Sequence, residues 1–371
     1  MEANNTRKHN SYLVYLFLTI VFILTTTVIG VMLFRIYIAQ FTWERDANRY
    51  EQYYVMITGD KNSSLWQSVY QGAYEAGLEQ NIYVDLLDEV FSNQYSREDL
   101  MQIAIASKVD GIIVAADESD EITNLINEAV EEGIPVVTLY GDNTQSSRCS
   151  FVGIGGYDLG REYGRQVLHI EKERRVSSAV TLEPSSDGKT VMHLTQAQER
   201  QPLRVMVLVN AYAQDTGQNI IYSGMQETIE NEKDKDMEIE MSFFSVDDTN
   251  AFSVEESIRD IFMEGELPDI IVCLNELNTT CVYQAVVDYN KVGQVNIIGY
   301  YDSNTIMNAI DRNVIYATVS IDTMQMGRFC VEALTEYYTY GNTSQYFTAD
   351  ITLINKDNVA RYLRGDVADE E

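Results

Sequence analysis

Acidic and amide side chains follow several apolar runs of this sequence, at points where buried strands would end. In "DGIIVAADESD", residues 110–120, five apolar residues follow a glycine and are succeeded by Asp117 and Glu118. Carboxylates accept hydrogen bonds, whereas amides both donate and accept them. Side chains of these types can bind a polyhydroxylated solute, and a pair of carboxylates could instead hydrolyse a glycosidic bond.

Other apolar runs end in the same way, with aromatic side chains beside the polar ones. The polar candidates are Asp60, Asn62, Asp117, Asp142, Asn210, Asn275, Glu276 and Asp302, and the aromatic candidates are Trp66, Tyr140, Tyr300 and Tyr301. Any of the polar residues could instead cap the next helix, as Ser119 or Asp120 would do before Ile122. The residue types therefore indicate a ligand site or a set of helix caps.

These side chains need a scaffold of parallel strands, and the chain alternates strand-like and helix-like segments after residue 53. Apolar runs without alternation are typical of strands buried on both faces, and intervening helices produce parallel βαβ units. The phrase "DGIIVAADE" at 110–118 recurs as "DIIVCLNE" at 269–276, and a further strand follows each. This weak repeat predicts two doubly wound α/β lobes, interrupted by a polar insertion or long surface loop at 171–202.

The overall charge excludes several classes of partner. The chain of 371 residues carries 26 basic and 57 acidic residues, for a net charge of -31. Such a protein should repel nucleic acid and anionic lipid. Its length suits two lobes of ordinary domain size.

Motifs for metals, cofactors and common hydrolases are also missing from the sequence. There is no CxxC, HExxH or GxSxG, and "SDGKT" and "GIGGYDLG" both break the phosphate-binding patterns that they approach. We therefore expect no cofactor, no metal and no catalytic residue. The 4 cysteines could form disulfides, but their spacing also fits buried free thiols.

The segment 12–34 contains no charged residue. At 1.5 Å per residue a helix of this length spans roughly 35 Å, more than the roughly 30 Å of a bilayer core. Arg7 and Lys8 precede it, which predicts a cytoplasmic tail at 1–11, a membrane helix at 12–34 and an extracytoplasmic stalk at 35–52. A cleaved signal peptide is disfavoured because the run is long and no A-x-A site follows it. The absence of cysteine from residues 1–148 excludes a lipoprotein anchor.

Several phrases together resemble the type I periplasmic binding proteins, specifically the sugar-binding group that includes ribose and galactose binders, and the similar core of lac-repressor-type regulators. They are "DGIIVAADESD", "IPVVTLY", "FVGIGGYDLGREYGRQVL", "VCLNELNTTCVYQAV", "NIIGYYDS" and "YATVSIDTMQMGRFCVEAL". The resemblance implies an N-terminal lobe of 53–154 with 322–348 and a C-terminal lobe of 155–321 with 349–363. It implies crossovers near Gly155, Ile321 and Thr348, and a hinge-closing cleft that traps a small molecule. An acidic tail at 364–371 would follow.

The family's sugar contacts are only partly kept in this chain. Asn62 and Trp66 resemble the polar first loop with its aromatic residue, and Asn275 resembles the amide after the central strand of the second lobe. The departures from the family pattern are Tyr140 and Asp142 in place of Asp-Arg, Gln218 or Asn219 in place of an arginine, Tyr301 with a shifted Asp302, and Asp322 beside Ile321 at the hinge glutamine position. The resemblance thus implies a small polar ligand, with a carbohydrate expected.

The sequence leads to one preferred function and two alternatives. The preferred function is a non-catalytic, membrane-anchored extracytoplasmic receptor that presents its ligand to an ABC permease or a histidine kinase sensor, because the tail at 1–11 is too short to signal. The alternatives are a surface carbohydrate-active enzyme that uses strand-end carboxylates, and a binding fold that serves only as an interaction module. Stabilisation by sugars without turnover would distinguish the receptor from both.

Overall fold

A computed structural model describes residues 25–27, 29–30, 32, 50–58, 63–90, 95–184, 190–194, 201–211, 216–264 and 266–364. Within these ranges no helix is both long and apolar enough to cross a membrane. The predicted span at 12–34 and stalk at 35–52 lie outside the described residues, apart from the helical fragments 25–27, 29–30 and 32 and residues 50–52. The predicted tail at 1–11 lies wholly outside them, and the acidic tail does so apart from Arg364.

The chain divides into a small unit, residues 1–53 with 81–83, and a large unit, residues 54–80 with 84–371. The described part of the small unit is rich in tyrosine. The Tyr83 ring stacks on Tyr53 at 5.9 Å and lies 5.3 Å from Tyr50, and the Glu51 amide donates a hydrogen bond to the Asn81 carbonyl. The large unit contains the candidate site residues that the structure describes.

The strands and helices follow the alternation that the sequence predicts. The strands are β1 (Gln52–Ile57), β2 (Ile82–Leu86), β3 (Gly111–Val114), β4 (Val136–Leu139), β5 (Ser150–Ile154), β6 (Val180–Pro184), β7 (Thr190–Leu194), β8 (Leu203–Asn210), β9 (Ile239–Val246), β10 (Ile270–Val272), β11 (Asn296–Tyr300), β12 (Ala317–Ile321), β13 (Tyr346–Ala349) and β14 (Ile351–Asn355). The helices are α1 (Ser64–Glu79), α2 (Leu87–Val90), α3 (Arg97–Ala106), α4 (Asp120–Glu131), α5 (Gly156–Ala179), α6 (Thr216–Glu232), α7 (Ala251–Glu264), α8 (Glu276–Asp288), α9 (Asn304–Asp311), α10 (Thr323–Tyr340) and α11 (Val359–Arg364).

These strands form two six-stranded sheets, which confirms the predicted pair of α/β lobes. The first sheet has the order β13-β5-β4-β3-β1-β2 and the second β14-β12-β11-β10-β8-β9. In the first, the pairs β1–β3, β3–β4, β4–β5 and β5–β13 are parallel. All pairs of the second are parallel except β12–β14, which is antiparallel. Strands β3, β4 and β10 are buried at every position, as strands covered by helices on both faces should be.

The chain passes between the two sheets at three places. Strand β5 belongs to the first sheet, whereas the following α5 packs on α6 and β12 of the second lobe. Strand β12 belongs to the second sheet, whereas the following α10 packs on α1, β4, β5 and β13 of the first lobe. The predicted closing strand "FTADITLIN" is two strands, with β13 in the first sheet and β14 in the second. These passages lie at 154–156, 321–323 and 349–351.

The predicted polar insertion contains regular structure rather than only a surface loop. Helix α5 continues to Ala179, and β6 and β7 then form a two-stranded antiparallel sheet. At the start of this segment the buried Glu171 carboxylate accepts hydrogen bonds of 2.7 Å from both Arg174 and Arg175. Arg175 also bonds the Asp236 carboxylate at 2.5 Å. These charge-assisted bonds tie the C-terminal part of α5 to the rest of the second lobe.

Glycines allow one helix pair in each lobe to approach closely. A Cβ atom added at Gly327 in α10 would lie 2.0 Å from the Val69 carbonyl oxygen in α1, and one added at Gly72 would lie 2.1 Å from the Met324 oxygen. In the second lobe, a Cβ at Gly160 in α5 would lie 1.9 Å from the Ile221 oxygen in α6. Larger residues cannot occupy these positions without separating the helices.

We therefore expect Gly327→Ala to lower the free energy of unfolding by at least about 1–3 kcal/mol, the usual cost of overpacking. The matched control is Gly156→Ala, because a Cβ there would lie no closer than 3.4 Å to another atom. Urea denaturation of both variants measures the difference. Equal stability of the two variants would contradict the close helix contact.

The four cysteines are free thiols in the described chain. Cys273, Cys281 and Cys330 are buried and Cys149 is half-buried. Burial raises the pKa of Cys149 to about 12 and that of Cys281 to about 11. Thiols with such pKa values are poor nucleophiles, which fits a packing role.

Candidate functional site

Trp66 and Tyr140 bring two aromatic rings together in the first lobe. Trp66 lies in the first turn of α1, and Tyr140 directly follows β4. Their ring centroids are 5.6 Å apart with an interplanar angle of 71°, an edge-to-face arrangement. The Trp66 side chain is half-buried and Tyr140 is 37% exposed, so both rings retain accessible surface.

Tyr140 and Tyr301 occupy equivalent positions in the two lobes. Each directly follows a central strand of its sheet, and both have left-handed backbone conformations, with φ of 68° and 73°. The Tyr140 amide donates to the Val152 carbonyl at 2.9 Å, and the Tyr301 amide donates to the Val319 carbonyl at 2.8 Å. Non-glycine residues rarely adopt this conformation, and such outliers concentrate at functional sites. The kinks turn the chain sharply at two corresponding strand ends.

A hydrogen bond joins these strand ends across the lobes. The Tyr300 hydroxyl, at the end of β11, donates to the Tyr140 hydroxyl at 3.1 Å. The Tyr163 hydroxyl, from α5, donates to the Cys273 carbonyl at 3.1 Å and lies 3.3 Å from the Gly299 carbonyl oxygen. Tyr163 and Tyr300 are both buried, and burial raises the pKa of each hydroxyl well above its usual value. Both hydroxyls therefore stay protonated and available as donors.

The second lobe contributes acids to the same region. Burial raises the pKa of Glu276, which begins α8, and the nearby Asp302 carboxylate raises it further, whereas the nearby Ser303 and Ser64 hydroxyls oppose the rise. Burial also raises the pKa of Tyr301, to about 12, and the nearby Ser64 hydroxyl opposes it. Since Ser64 begins α1, it brings the first lobe against Glu276 and Tyr301.

Asp302 lies deeper beside this group. Its carboxylate accepts a hydrogen bond of 2.8 Å from the Ser320 hydroxyl. Burial raises the pKa of Asp302, the Ser320 bond opposes the rise, and the neighbouring Asp322 carboxylate adds to it. In the part of the chain that the structure describes, neither Glu276 nor Asp302 forms an ion pair with a basic side chain. These two acids are thus acceptors held partly out of water.

The raised pKa of Glu276 leads to a pH-dependent prediction. Glu276 makes its full contribution to the free energy of unfolding below the ordinary glutamate pKa of about 4.3. That contribution is lost as the pH rises through the raised pKa of the folded state. Glu276→Gln, which cannot ionise, should therefore stabilise the free protein at pH 8 relative to the parent and leave it unchanged near pH 4.

Urea unfolding of the Glu276→Gln variant and its parent at both pH values measures this effect. Glu128→Gln, on an exposed position of α4, is the control for the loss of one carboxylate. A variant that is less stable than its parent at pH 8 would contradict the prediction.

Arginines bind two of the predicted acids in the first lobe. Arg97 pairs with the Asp117 carboxylate and donates to the Ala115 carbonyl at 2.9 Å. Burial would raise the pKa of Asp117, but hydrogen bonds from Ser119 and Arg97 lower it below its usual value. Asp117 is thus an ionised acceptor that already has donors.

Asp142 is held more completely by a bidentate pair with Arg148. The Arg148 Nε pairs with Asp142 Oδ1, and its Nη2 donates to Oδ2 at 2.7 Å. Asp142 Oδ1 also accepts bonds from the Thr138 hydroxyl at 3.1 Å and the Asn143 amide at 2.7 Å. Burial would lower the pKa of Arg148, but the Asp142 carboxylate outweighs it and raises that pKa.

Two further predicted residues cap helices. The Asn275 Oδ1 accepts from the Asn278 amide at 2.7 Å at the start of α8, and its side-chain nitrogen donates to Asn210 Oδ1 at 3.2 Å. The Asp322 carboxylate accepts from the Gln325 amide at 2.8 Å at the start of α10. Asn219 lies exposed in the first turn of α6, where its carbonyl accepts from the Ser223 hydroxyl. Asn275 and Asp322 therefore cap helices, which was the alternative to ligand binding for the polar residues at strand ends. Each side chain still has further hydrogen-bonding capacity.

Of the predicted residues, Trp66 packs on Tyr140 and Tyr301 lies beside Asp302. Asn62 lies outside the described residues. Ser64 and Arg97 of this region were not among the sequence candidates. Glu276 and Tyr300 were candidates as strand-end side chains, but nothing in the sequence selected them as ligand contacts over the other candidates. Among the described residues, no group of three or more His, Cys, Asp or Glu side chains could hold a metal ion.

Comparisons with known proteins are consistent with this architecture. A family model described as "Periplasmic binding protein domain" matches residues 53–342. The glucose-galactose binding protein GanP from Geobacillus stearothermophilus has 18% identity and a TM-score of 0.67, over 83% of this chain and 98% of that one.

A sugar-binding protein of a sugar ABC transporter from Bacillus halodurans has 18% identity and a TM-score of 0.65, over 84% of this chain and 100% of the other. XylFII in a XylFII-LytSN complex has 22% identity and a TM-score of 0.62, over 82% and 98%. These identities establish a common fold and no more. A search of curated protein sequences gives no match.

Proposed function

Because the chain belongs to the periplasmic binding protein family, we propose that it is a non-catalytic extracytoplasmic receptor that binds a carbohydrate between its lobes. The proposal is supported by one observation, which is that the two lobes meet at these strand ends. Tyr140, which packs on Trp66, is bonded to Tyr300 across the lobes, and Ser64 of the first lobe lies beside Glu276 and Tyr301 of the second. Aromatic faces pack on the apolar faces of a sugar ring, whereas carboxylates accept hydrogen bonds from its hydroxyls.

We propose the ten residues predicted from the sequence as ligand contacts, with Ser64 and Glu276 added. The geometry favours Trp66 and Tyr140, which keep exposed ring surface, and Asp302, which is half-buried, whereas the neighbouring Tyr301 is itself buried. Asp117 and Asp142 would act through their arginine partners, since those partners already occupy their carboxylates.

The named neighbours support a carbohydrate as the ligand class. GanP is described as a glucose-galactose binding protein, and the Bacillus halodurans protein is described as a sugar-binding protein. Those properties belong to the neighbours, and they support the proposal through shared fold alone. Among the residues that the structure describes, no arginine pairs with Glu276 or Asp302. The two carboxylates would therefore repel an anionic ligand, which favours a neutral one.

We further propose that a helix at 12–34 anchors the receptor, with residues 1–11 in the cytoplasm. The support is the uncharged run in the sequence and the two basic residues before it. The anchored receptor would present its ligand-bound form to an ABC permease or a histidine kinase sensor. One structural neighbour is the sugar-binding protein of a sugar ABC transporter and another is part of a complex with a second protein, which supports a protein partner for this receptor.

A ligand screen tests the proposed function. Full-length protein in nanodiscs would be heated with neutral sugars, amino sugars, uronic acids and amino acids, and products would be analysed after incubation. A neutral sugar at 100 times its Kd should stabilise the protein by about 2.7 kcal/mol without turnover.

Each other result of the screen favours a different function. Product formation that Glu276→Gln or Asp302→Asn abolishes would establish the carbohydrate-active enzyme instead. A failure of every solute to stabilise the protein would favour an interaction module.

A further inference from the structure

We propose that Tyr140 and Tyr300 form a closure contact, a direct hydroxyl–hydroxyl bond that favours the joined arrangement of the two lobes and thereby sets the affinity for the solute. The link to affinity rests on the proposed function. The contact itself does not, because it joins two lobes whether or not a solute binds.

The contact joins a donor that is held in place by packing, the Tyr300 hydroxyl, to an acceptor on the other lobe, the Tyr140 hydroxyl. Tyr300 is 1% exposed, so its ring cannot follow Tyr140 when the lobes separate. Behind it, Tyr163 is fully buried and bonded to the carbonyls of Cys273 and Gly299, which holds α5 against the ends of β10 and β11. The Tyr300 hydroxyl reaches out of this packed region to the Tyr140 hydroxyl at 3.1 Å.

The other half of the contact comes from a strained residue. Tyr140 has a φ of 68°, a conformation that costs free energy in any residue with a Cβ. Its amide bond to Val152 and its edge-to-face packing with Trp66 hold it there. The kink places a tyrosine hydroxyl where a regular strand end would not, and the same ring contacts Trp66 of the proposed solute site.

Separation of the lobes would break this bond and leave the Tyr300 hydroxyl to find water. A net hydrogen bond of this kind shifts an equilibrium about 2–10-fold. If the receptor binds solute only when its lobes are joined, its apparent Kd equals the intrinsic Kd divided by the fraction of molecules with joined lobes. Loss of the bond should therefore weaken the binding of any solute by up to the same factor. Through this bond Tyr140 and Tyr300 act as positioning residues, by way of the arrangement of the lobes, and Tyr140 is in addition a proposed ligand contact.

Pulsed EPR on the full chain in nanodiscs without added solute tests the contact. Spin labels would be attached at Asn124→Cys in α4 and Asp260→Cys in α7, both exposed positions of different lobes. Three native thiols are buried and the pKa of Cys149 is raised to about 12, so labelling favours the introduced cysteines. A protein without them measures background labelling.

Tyr140→Phe and Tyr300→Phe each keep the ring and remove one hydroxyl. We expect each variant to shift the inter-label distances toward longer values, and the double variant to shift them no further. The control is Tyr163→Phe, whose hydroxyl bonds lie within the second lobe, and it should lower stability without changing the distances.

Two outcomes would overturn the proposal. Distance distributions that match the parent in both single variants would show that the bond does not hold the lobes. A double variant with a shift equal to the sum of the single shifts would show that the two hydroxyls act independently. Because no solute is used, either failure leaves the proposed function standing, and a failed ligand screen leaves the contact standing.

Discussion

Arg148→Met is expected to lower the free energy of unfolding by about 3–5 kcal/mol, the cost of removing one partner from a buried ion pair. The Arg148 side chain is 8% exposed and that of Asp142 is 19% exposed. Arg148 also donates to the Gln345 carbonyl at 3.3 Å, and its guanidinium lies 5.1 Å from the centroid of the Tyr346 ring. Its loss would leave the Asp142 carboxylate uncompensated and would weaken the attachment of β13 to the rest of the first sheet.

Urea denaturation measures this loss, and Arg259→Met provides the matched control. Arg259 pairs with Glu256 on the exposed surface of α7, where an ion pair contributes at most about 1 kcal/mol. The double variant Arg148→Met with Asp142→Leu should lose less stability than the sum of the two single variants, because the carboxylate is no longer left alone. A loss below about 1 kcal/mol in Arg148→Met would show that the pair does not hold the sheet edge.

Trp66→Ala is expected to weaken sugar binding by about 1–3 kcal/mol, within the range for a good aromatic anchor. The indole is half-buried against Tyr140 and would pack on the sugar ring. Calorimetric titration with a sugar that stabilises the parent protein measures the change, which corresponds to about 5–150-fold in Kd.

The control for Trp66→Ala is Phe243→Ala in β9. Phe243 is 51% exposed and packs edge-to-face on Tyr222 at 4.5 Å, in the outer strand of the second sheet. Its truncation should leave the sugar affinity unchanged. An unchanged affinity in Trp66→Ala would remove this residue from the site.

Local patterns were sufficient to predict the repeating part of the fold. The apolar run of β3 predicts a strand buried on both faces, and the apolar positions at Ile122, Leu125, Ile126 and Ala129 predict α4. The sequence left Ser119 or Asp120 as the cap of that helix, and in the structure it is Ser119, whose hydroxyl accepts from the Ile122 amide. These features depend on residues that are close in the chain.

Features that depend on residues far apart in the chain could not be predicted from local sequence patterns. The segment "FTADITLIN" reads as one strand, but its halves pair with β5 and β12, and only those partners separate it at Asp350. The extension of α5 to Ala179 was missed because Glu171, Arg174 and Arg175 are as polar as a loop. Their charges are satisfied within the fold, which a composition-based reading does not detect.

The sequence by itself determined the two α/β lobes and the types of side chain at their strand ends. Only the tertiary structure decided which of those side chains are already bonded, because a carboxylate looks the same in a sequence whether or not an arginine neutralises it. Asp142 is bonded to Arg148 and keeps little capacity to bind a ligand. Glu276 and Asp302, in contrast, form no ion pair with any basic residue that the structure describes. The bond between Tyr140 and Tyr300 joins residues 160 positions apart, so no local pattern could have revealed it.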